Sequence, residues 1–217
     1  MKNILCFGDS NTWGFVPDSI LAPYQRRFPH DVRWTGILAR ELGAGVKIIE
    51  EGQNGRTTVH DDPFAAARNA KTVLPSILES QKPLDLVILM LGTNDLKAIF
   101  AVSPPEIAVG MKIIAQMILA SDAGLEGRPP ALLILCPPII GDTSHLPGVT
   151  EKFPLARENS RKLPRLYDAV AKQLGCHFFN TQDIIEPSAA DGIHLDAAAH
   201  STLGLALAAK VKSILSL

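Results

Sequence analysis

The alternation of two kinds of segment constrains the fold of this chain most strongly. Short apolar runs at residues 3–7, 46–50, 84–91, 131–136 and 176–179 predict strands. Segments with apolar residues at helical spacing lie at 32–42, 65–81, 105–121, 157–174 and 197–215. The central runs are apolar nearly throughout, which is typical of parallel strands covered on both faces. The pattern predicts an α/β fold, a three-layer α/β/α sandwich with a central five-stranded parallel sheet, in a single domain over residues 1–217.

Composition limits the partners. The chain of 217 residues has a formal net charge of −1 and no basic tract, so we expect no nucleic acid as a partner. No apolar stretch approaches the ~18 residues of a membrane span, and the apolar run at the N-terminus is shorter than a secretory signal needs. We therefore expect no membrane partner and a cytoplasmic protein. The three cysteines, an odd number with no disulfide pattern, agree with a reducing compartment.

Metal and cofactor signals are absent from the sequence. The histidines lack the spacing of metal ligands, and the His60-Asp61-Asp62 run is more typical of a solvated loop. Neither a dinucleotide-binding glycine motif nor a phosphate loop follows the first strand. The expectation is no metal and no cofactor. A cysteine nucleophile at Cys176-His177 is disfavoured, because adjacent residues of a strand point to opposite faces.

Chemically capable residues follow the predicted strands. Ser10 comes after the first strand, Gly55 after the second and Asn94 after the third, while Asp191 and His194 come after the fifth. In parallel α/β sheets, ligands bind outside the carboxyl ends of the strands. We therefore expect these residues, which are distant in sequence, to meet at one edge of the sheet.

The Gly8-Asp9-Ser10 segment could supply a nucleophile. Gly8 permits a tight turn directly after a strand, and a serine hydroxyl becomes reactive when a base takes its proton. His194 is the candidate base, since the Asp191-Gly-Ile-His194 spacing lets the carboxylate reach imidazole Nδ1 and leaves Nε2 free. Taken alone, Gly-Asp-Ser is more typical of a plain turn or a helix cap. Asp191 could instead cap the C-terminal helix, and this alternative is compatible with catalysis because Asp196 alone could cap it.

Two further segments could supply donors to an oxyanion. Asn94 can offer its side-chain NH₂, and a glycine at position 55 can bring a bare backbone N–H close to a substrate oxygen. The backbone N–H of Ser10 is a third candidate donor. Alone, the Gly92-Thr-Asn94-Asp95 and Gly52-Gln-Asn-Gly55 segments would predict ordinary turns.

Together the four segments are far more specific. Gly-Asp-Ser, Asn-Gly-Arg-Thr-Thr, Gly-Thr-Asn-Asp and Asp-Gly-Ile-His, in this order, resemble the four motif blocks of the SGNH/GDSL hydrolase superfamily. Phe7-Gly-Asp-Ser-Asn-Thr-Trp-Gly14 and Arg33-Trp-Thr-Gly36 resemble its arylesterase/acyltransferase branch more closely. The resemblance implies the flavodoxin-like SGNH hydrolase fold and a homo-oligomer that narrows the entrance to the site.

The same resemblance implies the roles of the site residues. Ser10 is the expected nucleophile, Asp191 and His194 complete the triad, and the oxyanion hole is formed by Ser10, Gly55 and Asn94. The implied function is a serine esterase acting on small-acyl, acetyl-like esters of aryl or alkyl alcohols through an acyl-serine intermediate. The acyl group would then pass to water or to another alcohol.

The substrate pocket is less specified. Its expected walls are Asn11, Trp13, Phe15, Phe153 and Ile193, for each of which core packing is an equal alternative. Asn11 stands where the family often has leucine. The long irregular segments at 16–30 and 137–154 are expected to be functional because they follow strands at the active edge, and the second is a candidate contact between subunits.

Other functions fit the same residues. A carbohydrate O-acetyl esterase, a thioesterase or a lysophospholipase would use the same triad, although two Trp and two Tyr disfavour a site for large sugars. A non-catalytic binding module on the same fold is a more remote alternative, because fold alone does not imply activity. A covalent serine probe would distinguish it from an enzyme.

Overall fold

A five-stranded, all-parallel sheet forms the centre of the molecule, and the computed structural model describes all 217 residues. The order across the sheet is β2-β1-β3-β4-β5. The strands are β1 (Lys2–Gly8), β2 (Val46–Gly52), β3 (Leu86–Met90), β4 (Ala131–Cys136) and β5 (His177–Asn180). The predicted fold class is confirmed, and each predicted strand lies within two residues of its observed bounds.

Eight α-helices connect and flank the strands. They are α1 (Ser10–Trp13), α2 (Trp34–Leu42), α3 (Ala70–Gln81), α4 (Pro104–Leu119), α5 (Pro147–Lys152), α6 (Ala156–Ser160), α7 (Leu163–Leu174) and α8 (Ala197–Leu215). Helices α2 and α8 pack together on one face of the sheet, whereas α3, α4 and α7 cover the other. This arrangement gives the three layers predicted from the sequence.

Successive residues of the central strands point to opposite faces, so each strand contributes to two cores. In β1, Leu5 and Phe7 belong to the core under α4 and α7. Ile4 and Cys6 belong to the core under α2 and α8. Burial on both faces explains why β1, β3 and β4 are apolar nearly throughout rather than alternating.

Two predicted helices differ from the structure. The segment predicted as one helix over 157–174 is divided into α6 and α7, with Pro164 in the first turn of α7. A proline is tolerated there because its missing N–H is not needed. The helix predicted from residue 65 begins at Ala70, where the Asn69 side chain accepts the Lys71 N–H and so caps it.

The 137–154 segment also contains helix α5, which the sequence interpretation placed in an irregular loop. Proline and glycine begin this helix, and it is only six residues long. Six residues are less than two helical turns, which is too short for a helical periodicity to distinguish the segment from a loop. By contrast, α8 has the predicted bounds, and the Asp196 side chain accepts the Ala199 N–H as its cap.

His200 ties α8 to α2 inside the core. Its Nδ1 accepts the Trp34 N–H at 3.2 Å, and the imidazole is fully buried. Burial lowers the pKa of His200 from 6.5 to about 4. Between these two pH values, the imidazole is neutral in the folded protein and protonated in the unfolded chain.

We expect His200 to make the protein less stable as the pH falls from 6.5 to about 4. In that window the unfolded chain binds the proton and the folded chain does not, so the free energy of unfolding decreases with decreasing pH, by about 3 kcal/mol for this one group. His200→Asn keeps an acceptor at the same branch of the side chain but does not titrate. Urea unfolding of both proteins at pH 7 and pH 4.5 measures the difference, and equal losses of stability on acidification would contradict the assignment.

Candidate active site

The turn after β1 presents Ser10. Gly8 is required by close approach, since a Cβ on it would lie 2.1 Å from Thr12 Oγ1 and 2.9 Å from the Met90 carbonyl oxygen. Asp9 caps α1 by accepting the Asn11 N–H at 3.0 Å, which places Ser10 at the first helical position. Burial raises the pKa of Asp9 to about 6, although the Asn11 N–H and the nearby His194 oppose the shift. The serine hydroxyl is therefore held at the carboxyl end of the sheet on a rigid turn.

A chain of hydrogen bonds joins Ser10 to His194 and Asp191. His194 Nε2 lies 2.9 Å from Ser10 Oγ, and His194 Nδ1 lies 2.6 Å from Asp191 Oδ2. The other carboxylate oxygen of Asp191 accepts the backbone N–H groups of Ile193 and His194, each at 2.8 Å. Asp191 is completely buried. These bonds fix the imidazole between a carboxylate and a hydroxyl, the arrangement that general-base activation of a serine requires.

Two neighbours orient the histidine further. The Phe15 ring stacks on the imidazole with the centroids 4.1 Å apart and the planes 21° apart. Asn11 joins the two halves of the site, because its Oδ1 accepts the Leu195 N–H at 3.0 Å and its Nδ2 donates to the Ile193 carbonyl at 3.4 Å. Asn11 therefore connects the turn that carries Ser10 to the loop of residues 191–195, called the histidine loop below.

Three N–H donors converge near Ser10. The backbone N–H groups of Ser10 and Gly55 have no acceptor within the protein. Asn94 Nδ2 donates one hydrogen to the Arg56 carbonyl at 3.1 Å, which leaves its second hydrogen available. Gly55 has φ of +80°, a backbone conformation that favours glycine. The structure brings together all five residues predicted for the triad and the oxyanion hole, in one cavity or directly beneath it.

Arg56 and Asp95 support this arrangement, and the sequence interpretation assigned a role to neither. Arg56 Nη1 donates to the carbonyl groups of Gly8 and Glu51, and so holds the ends of β1 and β2. Burial lowers the pKa of Arg56 to about 10. Asp95 is buried and accepts the Thr58 backbone N–H and hydroxyl. The sequence signal that could have identified them is their position, because Arg56 directly follows Gly55 and Asp95 directly follows Asn94.

A cavity of about 740 Å³ opens over Ser10. Phe15, Phe153 and Ile193 lie in its wall, as expected. Asn11 and Trp13 do not, which corrects the expectation for both. Asn11 is buried under the histidine loop by its two hydrogen bonds, and the Trp13 ring lies under the Arg27 guanidinium, 5.3 Å away.

Both long segments contribute to the cavity wall. The 16–30 segment supplies Ile20, Leu21 and Gln25, and the 137–154 segment supplies residues from His145 to Phe153. The length of these segments therefore has a structural reason, since they build the walls around the serine.

Comparison with known proteins identifies the family. The model of the GDSL-like lipase/acylhydrolase family matches residues 6–201. This protein belongs to that family. The predicted resemblance to the SGNH/GDSL hydrolases is thereby confirmed. Among curated proteins, none matches the sequence significantly.

Solved structures that resemble this protein agree with its assignment to the family. The native aryl esterase of M. smegmatis is 42% identical, with a TM-score of 0.93 and coverage of 99% of this chain and 100% of that one. A carbohydrate acetylesterase of Sinorhizobium meliloti gives the same identity, TM-score and coverage. A carbohydrate esterase family 2 enzyme of Corynascus, 16% identical with a TM-score of 0.72, covers 100% of this chain and 67% of its own and shares the fold.

No cluster of three or more His, Cys, Asp or Glu side chains is arranged to hold a metal ion. None of the helices combines the length and the apolar character needed to cross a membrane.

Proposed function

We propose that this protein is a serine carboxylesterase that cleaves small-acyl esters of aryl or alkyl alcohols. The observation that carries the proposal is the continuous hydrogen-bonded chain from Ser10 Oγ through His194 to Asp191, with distances of 2.9 and 2.6 Å. The membership of the GDSL-like family and the likeness to the aryl esterase of M. smegmatis support it.

In the proposed first step, His194 Nε2 takes the Ser10 proton as Oγ attacks the ester carbonyl. The carbonyl oxygen becomes an oxyanion, which the N–H groups of Ser10, Gly55 and Asn94 stabilise. Asp191 accepts the His194 Nδ1–H and stabilises the imidazolium. The tetrahedral intermediate then collapses, the alcohol leaves with the proton from His194, and the acyl group stays on Ser10.

In the second step, His194 takes a proton from water as the water oxygen attacks the acyl carbonyl. The acyl–Oγ bond then breaks, the acid is released, and His194 returns the proton to Ser10 Oγ. Another alcohol could replace water as the nucleophile, which would make the protein an acyltransferase as well. The apolar wall of Phe15, Phe153 and Ile193 supports this proposal, because it limits water near the acyl-enzyme.

A carbohydrate O-acetyl esterase is the second candidate, favoured by the likeness to the carbohydrate acetylesterase of Sinorhizobium meliloti. No Trp or Tyr side chain lines the cavity to stack on a sugar. Trp34 and Tyr167 are fully buried, and Trp13 is outside the cavity wall. No contact favours a thioesterase or a lysophospholipase over these two.

A fluorophosphonate probe tests the proposal directly. We expect the probe to label Ser10, losing fluoride and forming a phosphonyl-serine, because the activated Oγ attacks phosphorus as it would attack an ester carbonyl. Peptide mass spectrometry locates the label. In parallel, 4-nitrophenyl acetate should be cleaved faster than the octanoate. Labelling at another residue would remove the assignment of Ser10 as the nucleophile, and the absence of any label would favour a binding module.

We further propose a homo-oligomer and a reducing, cytoplasmic location. Exposed apolar side chains at the rim of the cavity, Leu21, Phe64 and Ile99, support the first, since a contact between subunits would cover them. Three unpaired cysteines support the second. A monomeric mass in light scattering would contradict the oligomer.

A further inference from the structure

The cavity beside Ser10 carries an excess of positive charge. Its lining includes three cationic side chains, Arg68, Lys97 and Lys152, and a single carboxylate, that of Asp62. The whole chain has a formal net charge of −1, so this excess is local. We propose that the site selects esters that carry an anionic group, which these cations hold while the ester carbonyl lies at Ser10. The inference rests on the proposed esterase function and names its substrate class.

Lys97 is the most informative of the three cations. Its side chain is only 6% exposed, although it lines the cavity, and its Nζ lies 3.5 Å from Asp62 Oδ2. Burial, together with the charge of Lys152, lowers the pKa of Lys97. An ammonium group removed from water is unfavourable unless anions surround it. Asp62 can neutralise one of the three positive charges, and the other two have no such partner.

Arg68 and Lys152 have free donors. Neither has a carboxylate within ion-pair distance, and Arg68 makes one hydrogen bond, from Nη1 to the Ala66 carbonyl at 3.3 Å. A guanidinium carries five N–H donors in a planar fork that matches a carboxylate or phosphate group. The cavity therefore presents cationic donors, exposed at Lys152 and half-buried at Arg68, to which an anionic ligand can bind in place of water.

The position of these cations relates them to the reacting atoms. A side-chain carbon built on Gly55 would lie 3.3 Å from Arg68 Nε and 3.8 Å from Lys97 Nζ. Gly55 is one of the proposed oxyanion donors, so both cations flank the place where the carbonyl oxygen would lie. Phe15 and Phe153 add an apolar part to the lining of the same cavity. A ligand that fits both parts of the lining has an uncharged portion against the phenylalanines and an anionic group, on its alcohol or its acyl side, near Arg68 and Lys97.

Two matched pairs of esters test the proposal. In the first pair the charge is on the alcohol side: 4-acetoxybenzoate and its neutral methyl ester. In the second pair the charge is on the acyl side: mono(4-nitrophenyl) succinate and 4-nitrophenyl butyrate, in which a methyl group replaces the carboxylate. For each pair the measured quantity is the ratio of kcat/KM for the anionic ester to that for the neutral ester, after subtraction of spontaneous hydrolysis. Intrinsic reactivity cancels when the ratio is compared between variants.

Lys97→Met and Arg68→Gln are the informative variants, and Lys212→Met is the control. Lys212 is an exposed lysine near the C-terminal end of α8, whose N-terminal end adjoins the histidine loop. We expect each cavity variant to lower the anionic-to-neutral ratio by about tenfold in at least one pair, and the control to leave it unchanged. Arg68 is half-buried at the cavity edge, so its variant keeps the test valid if the Lys97 variant fails to fold.

The possible results separate the two proposals. A lowered ratio in either pair supports anion selection, and the pair that shows it identifies the side of the ester that carries the charge. If both ratios equal those of the wild type while neutral esters are cleaved in a Ser10-dependent manner, anion selection is overturned and the esterase proposal stands. If no Ser10-dependent cleavage of any of the four esters is detected, the proposed function itself is overturned.

Discussion

Ser10→Ala is expected to lower kcat/KM for 4-nitrophenyl acetate by about 10⁴- to 10⁶-fold. The hydroxyl oxygen is the atom that would form the acyl-enzyme, and it is the only side-chain hydroxyl that His194 Nε2 contacts, at 2.9 Å. The oxyanion donors of Gly55 and Asn94 remain in the variant, so some cleavage above the spontaneous rate persists. Initial rates of 4-nitrophenyl acetate cleavage, recorded at several concentrations of freshly purified wild-type and variant enzyme, give the two values of kcat/KM.

The matched control for this change is Ser80→Ala. Ser80 lies on the exposed side of α3, and its hydroxyl bonds only the Ile77 carbonyl at 3.2 Å. Its replacement should leave kcat/KM within about twofold, since surface changes of this kind affect stability by only tenths of a kcal/mol. Comparable rates in the Ser10 variant and the wild type would mean that another residue is the nucleophile.

Asp191→Asn should lower kcat by about 10⁴-fold while preserving the loop. The amide oxygen of asparagine can still accept the backbone N–H groups of Ile193 and His194, which Asp191 accepts at 2.8 Å. The amide NH₂, however, would face His194 Nδ1 and donate to it. The imidazole proton would then be on Nε2, so the ring could no longer take the Ser10 proton, and the imidazolium would lose its counter-ion.

Asp196→Asn separates this effect from a general loss of an acidic group near the histidine. Asp196 caps α8 through the Ala199 N–H, and asparagine is an equally good cap. We expect full activity in this variant. A thermal unfolding curve for Asp191→Asn shows whether the fold is retained. If the Asp191 variant keeps more than a tenth of the wild-type kcat, the role of its carboxylate in the reaction is contradicted.

Much of the fold and of the candidate site could be predicted because the signals are local. Short continuous apolar runs indicate strands, whereas apolar residues at a spacing of about 3.6 indicate helices. The apolar character of β3 and β4 throughout indicates burial on both faces. The motif blocks carry their chemistry within a few residues of each other, as in Asp191-Gly-Ile-His194. Helix ends were less predictable where a cap or a proline decides them, as at Asn69 and Pro164.

The pocket wall could not be predicted because it depends on which way side chains point after packing. Asn11 was expected to face the substrate, but its two hydrogen bonds turn it toward the histidine loop. Trp13 is held outside the wall beside Arg27. Arg56 lies in one of the motif blocks, but its role could not be predicted. It donates to the carbonyl groups of Gly8 and Glu51, and these two carbonyls lie side by side only because β1 and β2 pair in the sheet.

The sequence by itself determined the order of strands and helices, the presence of a nucleophile, base and acid, and the edge of the sheet at which they meet. These follow from local periodicity, from residue chemistry and from the rule that parallel strands present their carboxyl ends together. The tertiary structure decided the distances within the triad and the placement of Lys97, Arg68 and Asp62 around Gly55. Lys97 follows β3 whereas Asp62 and Arg68 follow β2, so Lys97 becomes their neighbour only when the two segments fold over the same cavity, and no local pattern in the chain encodes that proximity.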